Sequence, residues 1–151
     1  MMCSAHRTVV IGIGNPCRGD DAAGPLCVQM LRKRLAPQVE ALVCLEPAGL
    51  LEPLARADSA YLIDACRCGG SPGTVRRFDV GAQPLPRLAS PVSSHGIELS
   101  EALELARALG SLPSHCVLYA IEGRTYAAGE PPSAPVRRAV AQVVTCILAA
   151  S

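Results

Sequence analysis

Apolar positions along the chain follow two alternating rhythms. Residues 8–14 (TVVIGIG) form a β-branched run closed by glycines, and residues 41–45, 60–63 and 116–121 are similar short apolar blocks. Each has the length and composition of a buried strand. Between the blocks, apolar residues recur every three or four positions. Ala23, Leu26, Cys27, Met30, Leu31 and Leu35 share one helix face, while Leu99, Leu103, Ala106 and Leu109 share another ahead of Gly110, which fits a helix stop. The strongest stripe is Val136, Val140, Val143, Val144, Ile147 and Leu148, behind a proline, Pro135, that a first helical turn tolerates. Residues 74–80 follow a Ser-Pro-Gly turn and carry Arg76 and Arg77, which predicts a more exposed strand near a sheet edge. Pro84, Pro86 and Pro91 make residues 83–92 a long loop leading to Ser93-Ser94-His95-Gly96, and residues 123–132 form a second loop. No repeat or linker interrupts the alternation. The expected architecture is α/β: a single three-layer domain over residues 1–151, with a mostly parallel sheet covered by helices on both faces.

A chain of 151 residues is long enough for one sizeable core and short for two domains. Half of it is apolar, yet aromatics are scarce and Trp is absent, so Ala, Val, Leu and Ile must fill the core, as suits helices packed on a parallel sheet. The formal net charge of +1 provides no field for gripping nucleic acid or an anionic membrane, and neither is expected as a partner. No apolar run approaches the roughly 20 residues that cross a bilayer, which leads us to expect a cytoplasmic protein. Of the eight cysteines, Cys27, Cys44, Cys116 and Cys146 sit singly in apolar segments and are expected to be small buried hydrophobes. Cys66 and Cys68 are spaced C-x-C, without the second pair of a zinc knuckle or the two-residue gap of a thioredoxin-type motif, and are expected to be dispensable.

The loop after the first strand, residues 12–24 (GIGNPCRGDDAAG), stands where a dinucleotide-binding protein carries its phosphate loop. The likeness is superficial, even though Glu46 after the second strand could imitate a ribose-binding acid. Cys17 replaces the third glycine of G-x-G-x-x-G, and Asp20 and Asp21 at the helix start would repel a pyrophosphate. Taken alone, these acids read as helix furniture, with Asp20 as cap and Asp21 in the first turn. Asp64 changes that reading, because the strand ending at residue 64 delivers another carboxylate to its C-terminal end. In open parallel sheets those ends share one rim, where ligands bind. Asp21, Asp64 and the loop residue His95 would then meet there. Two carboxylates and an imidazole can hold Ni²⁺ or Zn²⁺ with coordination positions left open.

These residues resemble the hydrogenase maturation protease family, endopeptidases that trim the large subunit of [NiFe] hydrogenases. The opening loop is similar to the family's signature of Gly-Asn, an acid pair and a glycine. Residues 62–65 (LIDA) resemble its third-strand end, and Ser93-Ser94-His95-Gly96 resembles its histidine loop. The likeness spans nearly the whole chain and implies a twisted sheet of about five strands. It also implies that Asp21, Asp64 and His95 take the three metal-binding positions. Ala22 departs from the glycine that many relatives carry there. Residues 45–49 (LEPAG) only loosely match the segment associated with substrate choice, so the cognate hydrogenase stays open.

The function this implies is removal of the C-terminal extension of a hydrogenase large-subunit precursor after nickel insertion, by a monomer that binds no nucleotide. The nickel would come with the substrate. No H-E-x-x-H helix or G-x-S-x-G elbow supplies other proteolytic machinery. A non-enzymatic nickel checkpoint or chaperone would use the same three ligands, and a nucleotide-binding α/β module is the third alternative.

Overall fold

The computed structural model describes residues 5–86 and 95–151, with side chains throughout except those of residues 95–98. Among the described residues, nine regular elements follow in order: β1 (Thr8–Ile13), α1 (Ala23–Arg32), β2 (Val39–Cys44), α2 (Leu51–Ala55), β3 (Ser59–Cys66), β4 (Val75–Asp79), α3 (His95–Ala108), β5 (His115–Glu122) and α4 (Ala134–Ala150). Single 3₁₀ turns at Gly19–Ala22 and Pro47–Leu50 lead into α1 and α2.

The five strands form one sheet in the order β2-β1-β3-β5-β4. The first four are parallel, and β4 lies antiparallel on the edge beside β5, as the arginines of residues 74–80 predict. Alternation along each strand sorts side chains to two cores. Val10, Tyr61, Ile63, Ala65, Val117, Tyr119 and Ile121 pack with α1 and α4 on one face. Val9, Ile11, Ile13, Ala60, Leu62, Cys116 and Leu118 pack with Leu50, Leu54, Leu99, Leu103 and Ala106 on the other. Burying a side chain such as Leu62 or Ile147, each fully enclosed, contributes about 1.5–3 kcal/mol, which makes these two layers the main driving force of the fold.

The apolar block at residues 41–45 is not a buried strand. It forms the other edge of the sheet, where β2 has only β1 to pair with, and Val43 and Leu45 are exposed. Cys27 and Cys116 are buried as expected, but Cys44 on this edge is half-buried and Cys146 lies on the outer side of α4, exposed. Met30 and Leu109 also face outward, because the cores are closed by their neighbours Leu31 and Ala106. Among the described residues, no helix is long and apolar enough to cross a membrane.

Strand order reverses between β1 and β3. The chain leaves β1 through α1 on one face to reach β2, then returns through α2 on the other face to β3. A crevice opens where such connections part, outside the C-terminal ends of the strands. That crevice is where the loop after β1 and the last residues of β3 lie.

Candidate active site

The loop after β1 is tightly specified. Asn15 Oδ1 accepts from the Cys17 backbone N–H at 2.8 Å, closing a turn at the start of the loop. Gly14 takes a φ of 135°, and a Cβ there would strike the Asp21 carbonyl oxygen, so the chain can fold back over itself only with glycine at this position. Gly24 then lets α1 settle directly on the sheet. A Cβ on it would lie 2.5 Å from the Ile13 nitrogen and 2.7 Å from the Ile63 carbonyl oxygen. The glycines thus bring the acid pair against the ends of β1 and β3.

Asp20 and Asp21 have different tasks. Asp20 is fully buried and does not cap α1. Its Oδ2 accepts from Arg124 N at 2.6 Å, Thr125 N at 3.1 Å and Ser133 Oγ at 2.9 Å, and its Oδ1 accepts from Ser133 N at 2.6 Å. The carboxylate therefore ties down the 123–132 loop and the residue before α4. The sequence alone hid this because all its partners lie more than a hundred positions away. Asp21, buried at 5% exposure, accepts from Asn15 N at 2.9 Å through Oδ2 and stands at the β1 side of the crevice.

Asp64, at 4% exposure, comes from the C-terminal part of β3, in register with Ala120. It shares a sheet face with Leu62, the face covered by α3. His95 was expected in a loop and is instead the first residue of α3, since residues 97–103 are mostly good helix formers with no breaker among them. Its side chain lies outside those described, as do Ser93, Ser94 and the second half of the proline-rich loop. The position of its backbone follows from the helix. Near the C-terminal end of α3, Arg107 Nη2 donates to Val80 O at 2.7 Å, and the adjoining Gly81 N–H bonds Cys116 O at the start of β5. A helix of 14 residues extends about 21 Å, so α3 begins toward the opposite end of the strands, on the rim that carries Asp64.

Other polar groups on this rim were not expected from the sequence. Glu122 ends β5 as Asp64 approaches the end of β3, at 2% exposure, and accepts from the N–H groups of Cys68 and Gly70. The signal was present in an apolar block closed by an acid. Tyr126 donates its hydroxyl to Cys66 O at 2.8 Å. Burial raises its pKa above the usual phenol value, and the anionic neighbours Asp20, Glu122 and Asp64 add to the shift. Burial likewise raises the pKa of the Cys66 thiol, helped by Cys68 and Glu122 and opposed by Arg76. Farther along the rim, Glu46, Ala48 and Leu51 face Glu101, Ala102 and Leu105 of α3 across a groove of about 380 Å³. Glu46 is exposed there.

The sequence of residues 27–150 matches the family model for hydrogenase maturation protease. The chain belongs to the hydrogenase maturation protease family. Asp64 and His95 fall inside the matched segment, while Asp21 precedes it. Among curated relatives, the hydrogenase expression/formation protein HoxM of Cupriavidus necator is 33% identical over 117 residues, covering 73% of this chain and 56% of HoxM. The chain thus spans little more than half the length of such relatives. The crystal structure of the [NiFe] hydrogenase maturation protease HycI from Thermococcus kodakarensis superposes with a TM-score of 0.74 at 28% identity, covering 95% of this chain and 90% of that one. The hydrogenase maturating endopeptidase HybD from E. coli gives 0.75 at 26%, with 95% and 91% covered. The single α/β domain with its five-stranded, mostly parallel sheet is the architecture of this family.

Proposed function

We propose that this chain is an endopeptidase that removes the C-terminal extension of a [NiFe] hydrogenase large-subunit precursor once nickel has been inserted. The observation that carries this reading is the delivery of two buried carboxylates, Asp21 and Asp64, to the crevice at the β1/β3 switch point, with the start of α3 on the same rim. Asp21, Asp64 and His95 would be the ligands. Carboxylates in such a dry setting attract a cation far more strongly than surface acids do, because little solvent screens them. Two oxygen donors and one imidazole leave coordination positions open, which suits a nickel ion that arrives already held by substrate thiolates. In this reading nickel belongs to the substrate, and the three side chains dock on it and so fix the peptide segment beyond the metal for cleavage. The protein would act in the cytoplasm as a monomer, without nucleotide or nucleic acid.

The test is to incubate the protein with a large-subunit precursor, with and without nickel, and follow loss of the C-terminal peptide by mass spectrometry. Cleavage of the nickel-loaded form alone is expected. Equal cleavage of the nickel-free precursor would contradict substrate-borne nickel, and binding of loaded precursor without cleavage would identify a checkpoint rather than a protease.

A further inference from the structure

Cys66 and Cys68 make a poor ligand set by themselves, but the fold adds a third donor. Cys66 and Glu122 are register partners on β3 and β5, and alternation puts their side chains on one face of the sheet. Among the described residues, Cys66, Cys68 and Glu122 form a group of three possible metal donors whose ligand atoms all lie within 4.8 Å of one another. We propose that these three residues bind a borderline-to-soft divalent cation of the Zn²⁺ or Ni²⁺ class, at a site distinct from the Asp21–Asp64–His95 docking set.

Three features support this site. The first is reach. Metal–sulfur bonds of about 2.3 Å and metal–oxygen bonds of about 2.0–2.2 Å place tetrahedral ligands about 3.5–3.8 Å apart, so closure needs shifts of about 1 Å, within reach of thiol rotation about single bonds. The second is orientation. Glu122 Oε1 accepts from Gly70 N at 3.1 Å, while Cys68 N lies 2.9 Å from Oε2 and 3.1 Å from Oε1. These backbone amides fix the carboxylate as outer partners fix a metal ligand, and a carboxylate with about four acceptor positions keeps at least one for a cation. The third is charge. Two thiolates and Glu122 carry three negative charges, and the guanidinium of Arg76, which approaches Gly70 from the same side as Glu122, supplies one positive charge. A divalent cation completes neutrality. On binding, both thiols lose their protons to solvent and each sulfur gives an electron pair to the metal. The fourth position is left to water or to an incoming ligand.

The experiment uses the full chain, reduced, with Co²⁺ as the probe. Titration should produce a thiolate-to-cobalt charge-transfer absorption that saturates at one ion per chain and disappears on addition of excess Zn²⁺. C66S/C68S should abolish the band, and E122Q should weaken binding by more than about tenfold, the scale on which even outer-shell partners count. D21N should leave the band unchanged, which separates this site from the docking set and its failure from that of the proteolytic reading. If C66S/C68S does not fold, C68S, altered at the more accessible thiol, must weaken the band. The proposal is overturned if wild type gives no such band, if the band survives loss of both cysteines, or if D21N removes it equally.

Discussion

Replacing Asp20 by Asn removes one negative charge and almost no volume, and it should cost most of the stability that a single surface-loop tie can carry. Both carboxylate oxygens face hydrogen-bond donors, with two backbone N–H groups and the Ser133 hydroxyl at Oδ2 and the Ser133 N–H at Oδ1. An amide has only one acceptor oxygen. Its less costly orientation keeps that oxygen at the Oδ2 side and turns the NH₂ toward Ser133 N, donor against donor. The Ser133 N–H then loses a charge-assisted bond worth about 1.5–3 kcal/mol, and the other three bonds lose their charge assistance. Together these changes come to about 3 kcal/mol, a large part of the roughly 5–15 kcal/mol that holds a domain folded. For a chain of this length, that predicts a fall in Tm of about 6–12 °C.

Asp21→Asn provides the control. Its amide oxygen can still accept from Asn15 N, so nickel-dependent precursor cleavage should fall by far more than stability does. Thermal and urea unfolding followed by circular dichroism, with cleavage assayed on the same samples, separates the two acids. If the Asp20 variant melts within about 2 °C of wild type while the Asp21 variant collapses, the division of labour is wrong and Asp21 is the structural acid.

Gly24→Ala tests how closely α1 rests on the sheet. In a solvent-exposed helix the change would stabilise by about 1 kcal/mol, whereas three backbone contacts of 2.5–2.7 Å with Ile13 and Ile63 predict a loss of about 3 kcal/mol, so the sign of the shift in urea midpoint decides. Cys27 and Cys116 should resist iodoacetamide in the folded protein at pH 8 while Cys17 and Cys146 react, as mass spectrometry of labelled peptides would read out. Burial holds the pKa of Cys27 and Cys116 near 12 against an ordinary 9.0, so the folded state keeps the proton that the unfolded state gives up. Their contribution to stability is complete below pH 9 and is lost between pH 9 and 12, which denaturant titrations across that range would reveal as falling midpoints.

The layer order of this fold was legible because its determinants are local. Short β-branched runs, three-and-four spacing and the Arg76–Arg77 pair each act within a few residues, and they yielded five strands with β4 at a sheet edge. What stayed hidden depends on long-range placement. The sequence of β2 reads like that of a buried strand, and only the reversal of strand order after β1 puts it at an edge with Val43 and Leu45 exposed. Cys146 sits in an apolar stretch, but one step of helical rotation decides whether it faces the sheet or solvent. Asp64 could be placed on the rim from strand length alone. The tie that Asp20 makes could not be read, since its four hydrogen bonds all lead to residues 124–133.

That difference bears on how the rim works. In the proposed reading Asp21 meets an incoming cation and must be held in place beforehand, and its neighbour Asp20 does the holding. Asp20 spends its carboxylate on Arg124, Thr125 and Ser133, and through them it fixes the path of the loop from β5 to α4. The same loop returns the tie, because Thr125 O accepts from Asp20 N at 2.7 Å and Glu130 O accepts from Gly19 N at 3.0 Å. The 3₁₀ turn that carries Asp21 is therefore clamped from β5, and Gly14 clamps it from β1. With its backbone held on both sides, Asp21 would, under the proposed reading, have little left to order on docking, which would leave more of the docking energy for recognition. Loosening this clamp at Ser133, by Ser133→Ala, should consequently raise the precursor concentration needed for half-maximal cleavage more than it lowers the maximal rate. An equal fall in both, with normal melting, would show that the clamp does not act through the placement of Asp21.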